Sequence, residues 1–262
     1  WKHLQLPPPT KIQYQIADYL QYGPKRACIQ AFRGAGKSWI TSAFACWNWL
    51  MDPQKNILVV SASKTRADDF STFTQRLIHE LPILEHLKPN DDQRSSKVSF
   101  DVGPARASHA PSCKSMGITS QLTGSRADLI IADDVESANN SQTQLMRDRL
   151  SETIKEFDSI IKPEIGRIVF LGTPQTELSI YNQLEERGFK TQIWPARFPE
   201  SKALLNYGHK LAKEILKNKD KFKPGQALDP DRFDDVDLME REASYGRSGF
   251  SLQFMLDTTL SD

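Results

Sequence analysis

Three consecutive residues, Gly36, Lys37 and Ser38, have the types and spacing that bind a phosphate group. They end the stretch AFRGAGKS, which consists of Ala31, Phe32, Arg33, Gly34, Ala35, Gly36, Lys37 and Ser38. In such a loop, backbone N–H groups at the start of the following helix face the phosphates. Lys37, expected as an exposed cation, can reach the β- and γ-oxygens of a nucleotide, and the Ser38 hydroxyl can ligate Mg²⁺. Ala31 replaces the glycine that usually begins the pattern, and this is tolerable if its φ is negative.

A second group of reactive side chains follows the apolar run Leu129–Ala132, in the stretch LIIADDVE. A buried strand of this kind delivers carboxylates at its C-terminal end, where ligands bind in open parallel sheets. We expect Asp133 to hold Mg²⁺ through water. Either Asp134 or Glu136 could polarise the attacking water, and the two side chains point the same way if the chain stays extended. Taken alone, the stretch fits an ordinary turn better; beside the phosphate-binding loop, it favours a nucleotide site.

Thr173 and Arg33 could each contact the terminal phosphate of a nucleotide. Thr173 lies in the stretch FLGTPQ, where an apolar run again ends in small polar residues, although a simple Gly-Thr-Pro turn also fits. Arginines that stabilise transition-state charge in this way contribute about 10³–10⁵ in rate where measured. Arg33 could instead pair with a neighbouring acid and only shape the loop.

The stretch PPTKIQYQIADYL, which precedes the loop, could recognise the base. Tyr14 offers a stacking face, and Gln15 carries an amide that can pair with the adenine edge. Ile12, Ile16 and Tyr19 also predict a helix face packed on the sheet. Both interpretations can hold together.

Short apolar runs alternate with amphipathic stretches between Lys25 and Trp194, which predicts an α/β fold built of βα units around a mainly parallel sheet. The predicted strands are Ala27–Phe32, Ile57–Ser61, Val98–Asp101, Lys114–Gly117, Leu129–Ala132, Ile168–Leu171 and Thr191–Trp194. The predicted helices are Lys37–Leu50, Lys64–Leu81, Ser141–Ile161, Ser179–Arg187, Asp235–Tyr245 and Ser248–Leu256. We expect a nucleotide-binding core in residues 1–197 and a small helical lid or linker in residues 198–262.

The composition and net charge of the chain exclude some classes of protein. The 262 residues carry a formal net charge of +1, which argues against a surface that holds nucleic acid by charge alone. The three cysteines and five histidines are scattered, so that any metal should be a hard cation brought in with a nucleotide. The chain begins at Trp1 and contains no apolar run long enough to span a bilayer, which indicates a fragment of a cytosolic protein.

Five stretches together resemble the large terminase subunits of tailed double-stranded DNA phages, most of all the short-tailed podovirus branch. They are QAFRGAGKS, SASKTRAD, LTGSRADLIIADDVE, FLGTPQTE and DPDRFDDVDLMEREASYGRSGFSLQFML. The resemblance implies a P-loop NTPase fold of the ASCE or RecA-like kind, which uses ATP and Mg²⁺ to move viral DNA into a procapsid. It also implies roles for individual residues: Mg²⁺ binding for Asp133, phosphate sensing for Arg33, coupling for Gly172-Thr173-Pro174 and adenine recognition for Tyr14-Gln15. The catalytic glutamate of the family falls at Asp134, which leaves open whether Asp134 or Glu136 does its work.

The resemblance further implies partners and a place of action. The partners are double-stranded DNA, a portal protein ring and a small terminase subunit, with the chain forming a homo-oligomeric ring on the portal. We expect a monomer in dilute solution, located in the host cytoplasm, docked transiently on the procapsid, absent from the mature virion and not bound to membrane. The acidic metal cluster of the family's nuclease domain is not evident, so this chain is expected to hydrolyse ATP without cutting DNA.

Several cations are candidates for contacts beyond the chain's own cleft. Arg126 could complete a neighbouring subunit's nucleotide site, or could merely pair with Asp128. Lys64 and Arg66 follow a strand end, where related translocases touch the DNA backbone. The lysine-rich stretch His209–Lys223 fits a solvated helix face better than a DNA contact.

Two other functions remain open from the sequence. A helicase-like P-loop translocase of replication or repair would share these motifs, but it normally needs a second sheet domain. A nucleotide-binding scaffold without hydrolysis is disfavoured by the intact Lys37, Ser38 and Asp133.

Overall fold

Seven strands form one sheet in the computed structural model, which describes residues 1–259. They are β1 (Arg26–Ala31), β2 (Ile57–Ser61), β3 (Ser99–Phe100), β4 (Cys113–Gly117), β5 (Leu129–Asp133), β6 (Arg167–Gly172) and β7 (Lys190–Trp194). Their order across the sheet is β3-β4-β2-β5-β6-β1-β7, and every neighbouring pair is parallel except β3–β4. The predicted α/β fold with a mainly parallel sheet is confirmed.

The central strands β2 and β5 are apolar except for their last residues, because helices cover both faces of the sheet. All five residues of β2 and all five of β5 are buried. The paired ends of these strands bring Ser61 level with Asp133, and Asp133 level with Leu171 of β6. The carboxyl ends of β1, β5 and β6 therefore lie side by side at one edge of the sheet.

Ten helices accompany the strands within residues 1–259. They are α1 (Lys11–Tyr22), α2 (Lys37–Met51), α3 (Lys64–Glu80), α4 (Ala138–Ser141), α5 (Gln144–Lys155), α6 (Phe157–Ile160), α7 (Ile180–Gln183), α8 (Ser201–Tyr207), α9 (Lys213–Lys217) and α10 (Asp235–Phe250). Helices α2 and α3 begin where the sequence predicts. None of the helices in this part of the chain is both long and apolar enough to cross a membrane.

Two predicted helices are shorter or broken in the structure. The predicted helix Ser141–Ile161 is divided into parts of α4, α5 and α6, because Thr143 has extended backbone and caps α5 by accepting a hydrogen bond from the N–H of Met146. The predicted helix Ser179–Arg187 is reduced to α7. The segment after α7 ends in a turn. In this turn the Leu184 carbonyl accepts a hydrogen bond from the Phe189 N–H, and Gly188 adopts a φ of 82°.

The chain after Trp194 packs on the same core as α1 and α2. Leu238, Phe250 and Phe254 are buried in one hydrophobic cluster with Phe32 of the loop. The two helices predicted at the end are both present: α10 is divided at Gly246, whose φ of 69° and ψ of 168° are not helical, and a π-helical turn follows over Ser251–Met255. The division at residues 197 and 198 stays a prediction, and residues 260–262 of its second part lie outside the described residues.

Candidate nucleotide-binding site

The predicted phosphate-binding loop connects β1 to α2. Ala31 is the last residue of β1, whereas Gly34 and Gly36 each have a φ of 90°. The positive φ values fall where glycine is present, so that alanine at position 31 meets no steric conflict. Gly36 is the N-cap of α2 and has no side chain to cap it, which leaves the first N–H groups of α2 available for an anion.

Lys37 is a buried residue and not the exposed cation expected from the sequence, with 7% of its surface exposed. Its Nζ donates to the Ala31 carbonyl and to the Thr173 hydroxyl, each at 3.0 Å. The Thr173 Oγ1 in turn donates to the same carbonyl at 3.2 Å. The lysine predicted to bind phosphate and the threonine predicted to sense it are therefore in direct contact.

Asp133, Asp134 and Ser38 meet beside the loop. The three residues line one cleft of about 440 Å³, and Ser38 and Asp134 also line a neighbouring cleft of about 480 Å³ that contains Lys37. Asp133 is 9% exposed, and its buried Oδ1 has no hydrogen-bond partner among residues 1–259. Burial away from solvent and the charge of the adjacent Asp134 raise the pKa of the Asp133 carboxyl from 3.8 to about 7.

Asp134 and Glu136 differ in their backbone geometry and in the hydrogen bonds that their carboxylates accept from the protein. The chain does not stay extended after β5, because Asp134 adopts a φ of 46°, so that the condition under which the two side chains would point the same way is not met. Glu136 is 2% exposed and accepts hydrogen bonds from the backbone N–H groups of Gln175 and Ile180 and from the Ser179 hydroxyl. Burial nevertheless raises the pKa of Glu136. Both residues line the cleft that contains Lys37, but the Glu136 oxygens also hold the loop after β6.

Arg33 does not pair with an acid among residues 1–259. Its guanidinium Nη1 donates to Oε1 of Gln253 at 2.9 Å, and its backbone N–H donates to the Gln253 carbonyl at 2.9 Å. Arg33 and Gln253 both line the cleft that contains Lys37. The loop arginine is thus fixed to the C-terminal part of the chain.

The residues predicted to recognise adenine, Tyr14 and Gln15, lie on α1. Gln15 accepts a hydrogen bond from the Trp194 indole at 2.9 Å, and Tyr14 is 59% exposed on α1. Gln13 instead contacts the loop, because its Nε2 donates to the Ala35 carbonyl at 2.9 Å. The adenine role of Tyr14 and Gln15 stays a prediction, and Gln13, whose position is fixed by a capping box with Thr10, joins them as a candidate.

Arg232 and Arg66 are cleft residues that the motifs did not identify. The Arg232 Nε donates to the Gly34 carbonyl at 2.8 Å, and the neighbouring Phe233 ring packs so closely on Gly34 that a Cβ there would come within 2.8 Å of it. Arg66, which the sequence suggested for DNA contact, lines both clefts near Asp133. Its positive charge partly opposes the rise in the pKa of the Asp133 carboxyl that burial causes. The sequence signal for Arg232 was limited to its place in the stretch DPDRFDD.

Arg126 is outside the nucleotide cleft of its own chain. It precedes β5, at the opposite edge of the sheet from Asp133, and its guanidinium donates to the carbonyls of Ser125 and Ser159. Its alternative partner, Asp128, is bonded to Lys162 at 2.9 Å instead. The predicted role of Arg126 at a neighbouring subunit's site therefore stays a prediction.

An open parallel sheet, a strand that runs into a phosphate-binding loop, and an acidic strand end beside that loop define a P-loop nucleotide-binding protein. Residues 28–240 match the family described as terminase large subunit, T4likevirus-type, N-terminal. The chain is also 52% identical over 269 residues to the large terminase subunit of Enterobacteria phage T3, an alignment that covers all of this chain and 46% of that protein. The chain belongs to the terminase large subunit family, as the resemblance indicated.

Solved structures agree on the fold. The ATPase domain of the Thermus phage P74-26 large terminase, as an arginine mutant, is similar with a TM-score of 0.54 and 16% identity over 93% of this chain and 92% of that one. The same domain without the mutation gives a TM-score of 0.51 and 14% identity over 94% and 92% of the two chains. The family match favours a terminase over the helicase-like alternative. This chain spans 46% of the T3 protein, less than half its length.

Proposed function

We propose that this chain is an ATP-hydrolysing motor domain of a viral terminase that translocates double-stranded DNA into a procapsid. The observation that carries the proposal is the meeting of Lys37, Ser38, Asp133 and Asp134 at one edge of the parallel sheet. Family membership supports the motor role, since the relative from phage T3 is a terminase large subunit. Residues 1–197 would form the ATPase core, and residues 198–262 the lid or linker.

The residues present fit a magnesium ion. Mg²⁺ prefers oxygen ligands and keeps several waters, which suits one hydroxyl and one carboxylate at the rim of a cleft. Ser38 supplies the exposed hydroxyl, and Asp133 supplies a buried carboxylate oxygen that has no hydrogen-bond partner among residues 1–259. Bound with ATP, Mg²⁺ would neutralise charge on the β- and γ-phosphates.

Asp134 is the better candidate for orienting the attacking water. Asp134 lines both clefts and Glu136 lines one of them, but each Glu136 oxygen already accepts at least one hydrogen bond. Glu136 would instead fix the loop that carries Thr173 relative to the acidic strand. Lys37 and Arg33 would hold the phosphates.

Arg232 would bring a third positive charge to the phosphates from outside the loop. The base would bind near Gln13 and Tyr14 of α1, where the Gln13 amide already touches the loop. Double-stranded DNA, a portal ring, a small terminase subunit and a ring of identical subunits are the partners that a packaging motor needs.

A comparison of ATP turnover by the wild-type chain and by the Lys37→Met variant tests the proposal. Methionine keeps an unbranched side chain in the buried position and removes the charge. We expect loss of turnover by at least about a hundredfold, because a phosphate-binding cation is removed. The Lys202→Ala variant removes an exposed lysine of α8 and is the charge-matched control. Near wild-type turnover in the Lys37 variant would show that the loop is not the ATP site.

A further inference from the structure

Gln253 connects two parts of the cleft that are far apart in the sequence. Its side chain is 9% exposed and uses both ends of the amide: Oε1 accepts from Arg33, and Nε2 donates to the Pro174 carbonyl at 3.2 Å. Pro174 follows Thr173, which contacts Lys37. A continuous path of polar contacts therefore runs from Arg33 through Gln253 to the loop after β6 and on to Lys37.

The backbone around Gln253 makes this position rigid. The Gln253 carbonyl accepts from the Arg33 N–H, and the next carbonyl, of Phe254, accepts from the Ala196 N–H at 2.9 Å. The Phe254 ring is buried and stacks on Phe250, with ring centroids 5.0 Å apart. A glutamine held at both ends of its amide and on both sides of its backbone has little freedom to turn.

Arg33 needs such a partner because the rest of its side chain is in solvent. Arg33 is exposed, and within residues 1–259 its guanidinium has no acidic partner within the range of an ion pair. Its bond to Gln253 uses one of the two terminal nitrogens and leaves the other donors of the planar fork free. Fixing one side of the fork sets the direction in which the remaining donors point.

We propose that Gln253 is a positioning residue, which aims the Arg33 guanidinium at the terminal phosphate and ties it to the loop of Thr173. The inference rests on the proposed ATPase function and assigns to the C-terminal segment a part in the site that no motif supplies. Gln253 acts through Arg33, so that it should matter for ATP and its analogues but not for ADP.

A double-mutant cycle tests this dependence. Gln253→Met keeps the unbranched shape and removes both hydrogen bonds, and Arg33→Ala removes the group that is positioned. Because pre-organised charge accelerates the chemical step more than it aids binding, we expect Gln253→Met to lower kcat about tenfold and to change the KM for ATP by less than about threefold. In the Arg33→Ala background the same substitution should change kcat by less than about twofold, since partners in one contact are not additive.

A binding measurement separates this inference from the proposed function. The Kd of a non-hydrolysable ATP analogue should rise about twofold in Gln253→Met while the Kd of ADP stays the same, and this difference should vanish without Arg33. The binding arm gives an answer even if the isolated chain does not turn over ATP, an outcome that would count against the ATPase proposal alone.

Gln192→Met is the matched control. Gln192 is a buried glutamine of β7 whose amide also makes two hydrogen bonds, to the Thr191 carbonyl and from the Lys213 N–H. Any loss of folding stability from removing such an amide should be common to both variants, but coupling to Arg33 should be seen at Gln253 alone. Equal effects of Gln253→Met with and without Arg33, or coupling of the same size at Gln192, would overturn the assignment.

Discussion

Replacing Asp133 with asparagine should stabilise the nucleotide-free protein, and the gain should increase with pH. The Asp133 carboxyl has its pKa raised from 3.8 to about 7, chiefly because it is buried. Below pH 3.8 it is protonated in both the folded and the unfolded chain, so that it contributes no pH dependence there. Between that pH and about 7 the unfolded chain ionises first, and the folded state loses relative stability as pH rises.

The size of the effect follows from the interval between the two pKa values. At about 1.4 kcal/mol for each pH unit, an interval from 3.8 to about 7 corresponds to about 4 kcal/mol above neutral pH. The asparagine still leaves a buried polar group without a partner, which costs about 1–3 kcal/mol. A net gain of about 2 kcal/mol at pH 8 should raise the melting temperature by about 4–8 °C for a chain of this size.

The matched comparison is Glu136→Gln, which removes a carboxylate that the protein satisfies. The amide nitrogen of glutamine cannot accept, so that at least one of the hydrogen bonds from Gln175, Ser179 and Ile180 is lost. Each bond to a charged group is worth about 1.5–3 kcal/mol, and the variant should therefore melt lower than the wild type.

Melting curves of the three proteins between pH 5 and 8, without nucleotide or Mg²⁺, provide the assay. The two variants should shift in opposite directions. A destabilised Asp133→Asn protein, or a gain that does not change with pH, would refute the description of Asp133 as a buried charge without a partner.

Three further predictions concern ATP. Asp134→Asn should stop hydrolysis while keeping ATP binding, and full activity there, with loss in a still-folded Glu136→Gln protein, would transfer the role to Glu136. Arg232→Gln should raise the Kd for ATP about five- to tenfold by removing a cation at the phosphates, and an unchanged Kd would remove Arg232 from the site. If Arg126 acts at a neighbour's site, specific activity should rise with protein concentration, and mixing Arg126→Ala with Lys37→Ala should restore some turnover; flat activity without rescue would contradict this role.

The sheet was predictable because its strands carry a strong local signal. The runs at β2 and β5 are short, apolar and bounded by polar residues, and their burial on both faces matches that pattern. Helix ends were harder where capping decided them. Thr143 interrupts a long amphipathic stretch, and the predicted helix from Ser141 to Ile161 is broken there.

Side-chain placement could be predicted only where the motif itself fixes it. Asp133 ends β5, Lys37 begins α2 after the loop that follows β1, and the parallel sheet brings the ends of these strands to one edge. Gln13 was missed although the spacing of Thr10 and Gln13 is that of a capping box, which would have placed the glutamine at the start of α1. Gln253 reaches Arg33 across 220 positions of sequence, and no local pattern reports such a contact.

A structure of this chain with a non-hydrolysable ATP analogue and Mg²⁺ tests the central claim most directly, which is that the loop and the acidic strand end form one Mg²⁺–ATP site. We predict the terminal phosphate within hydrogen-bond distance of Lys37, the Ser38 hydroxyl about 2.1 Å from the metal, and Asp134 as the carboxylate nearest the attacking water. A nucleotide bound away from Lys37, or a metal held without either Ser38 or Asp133, would contradict it.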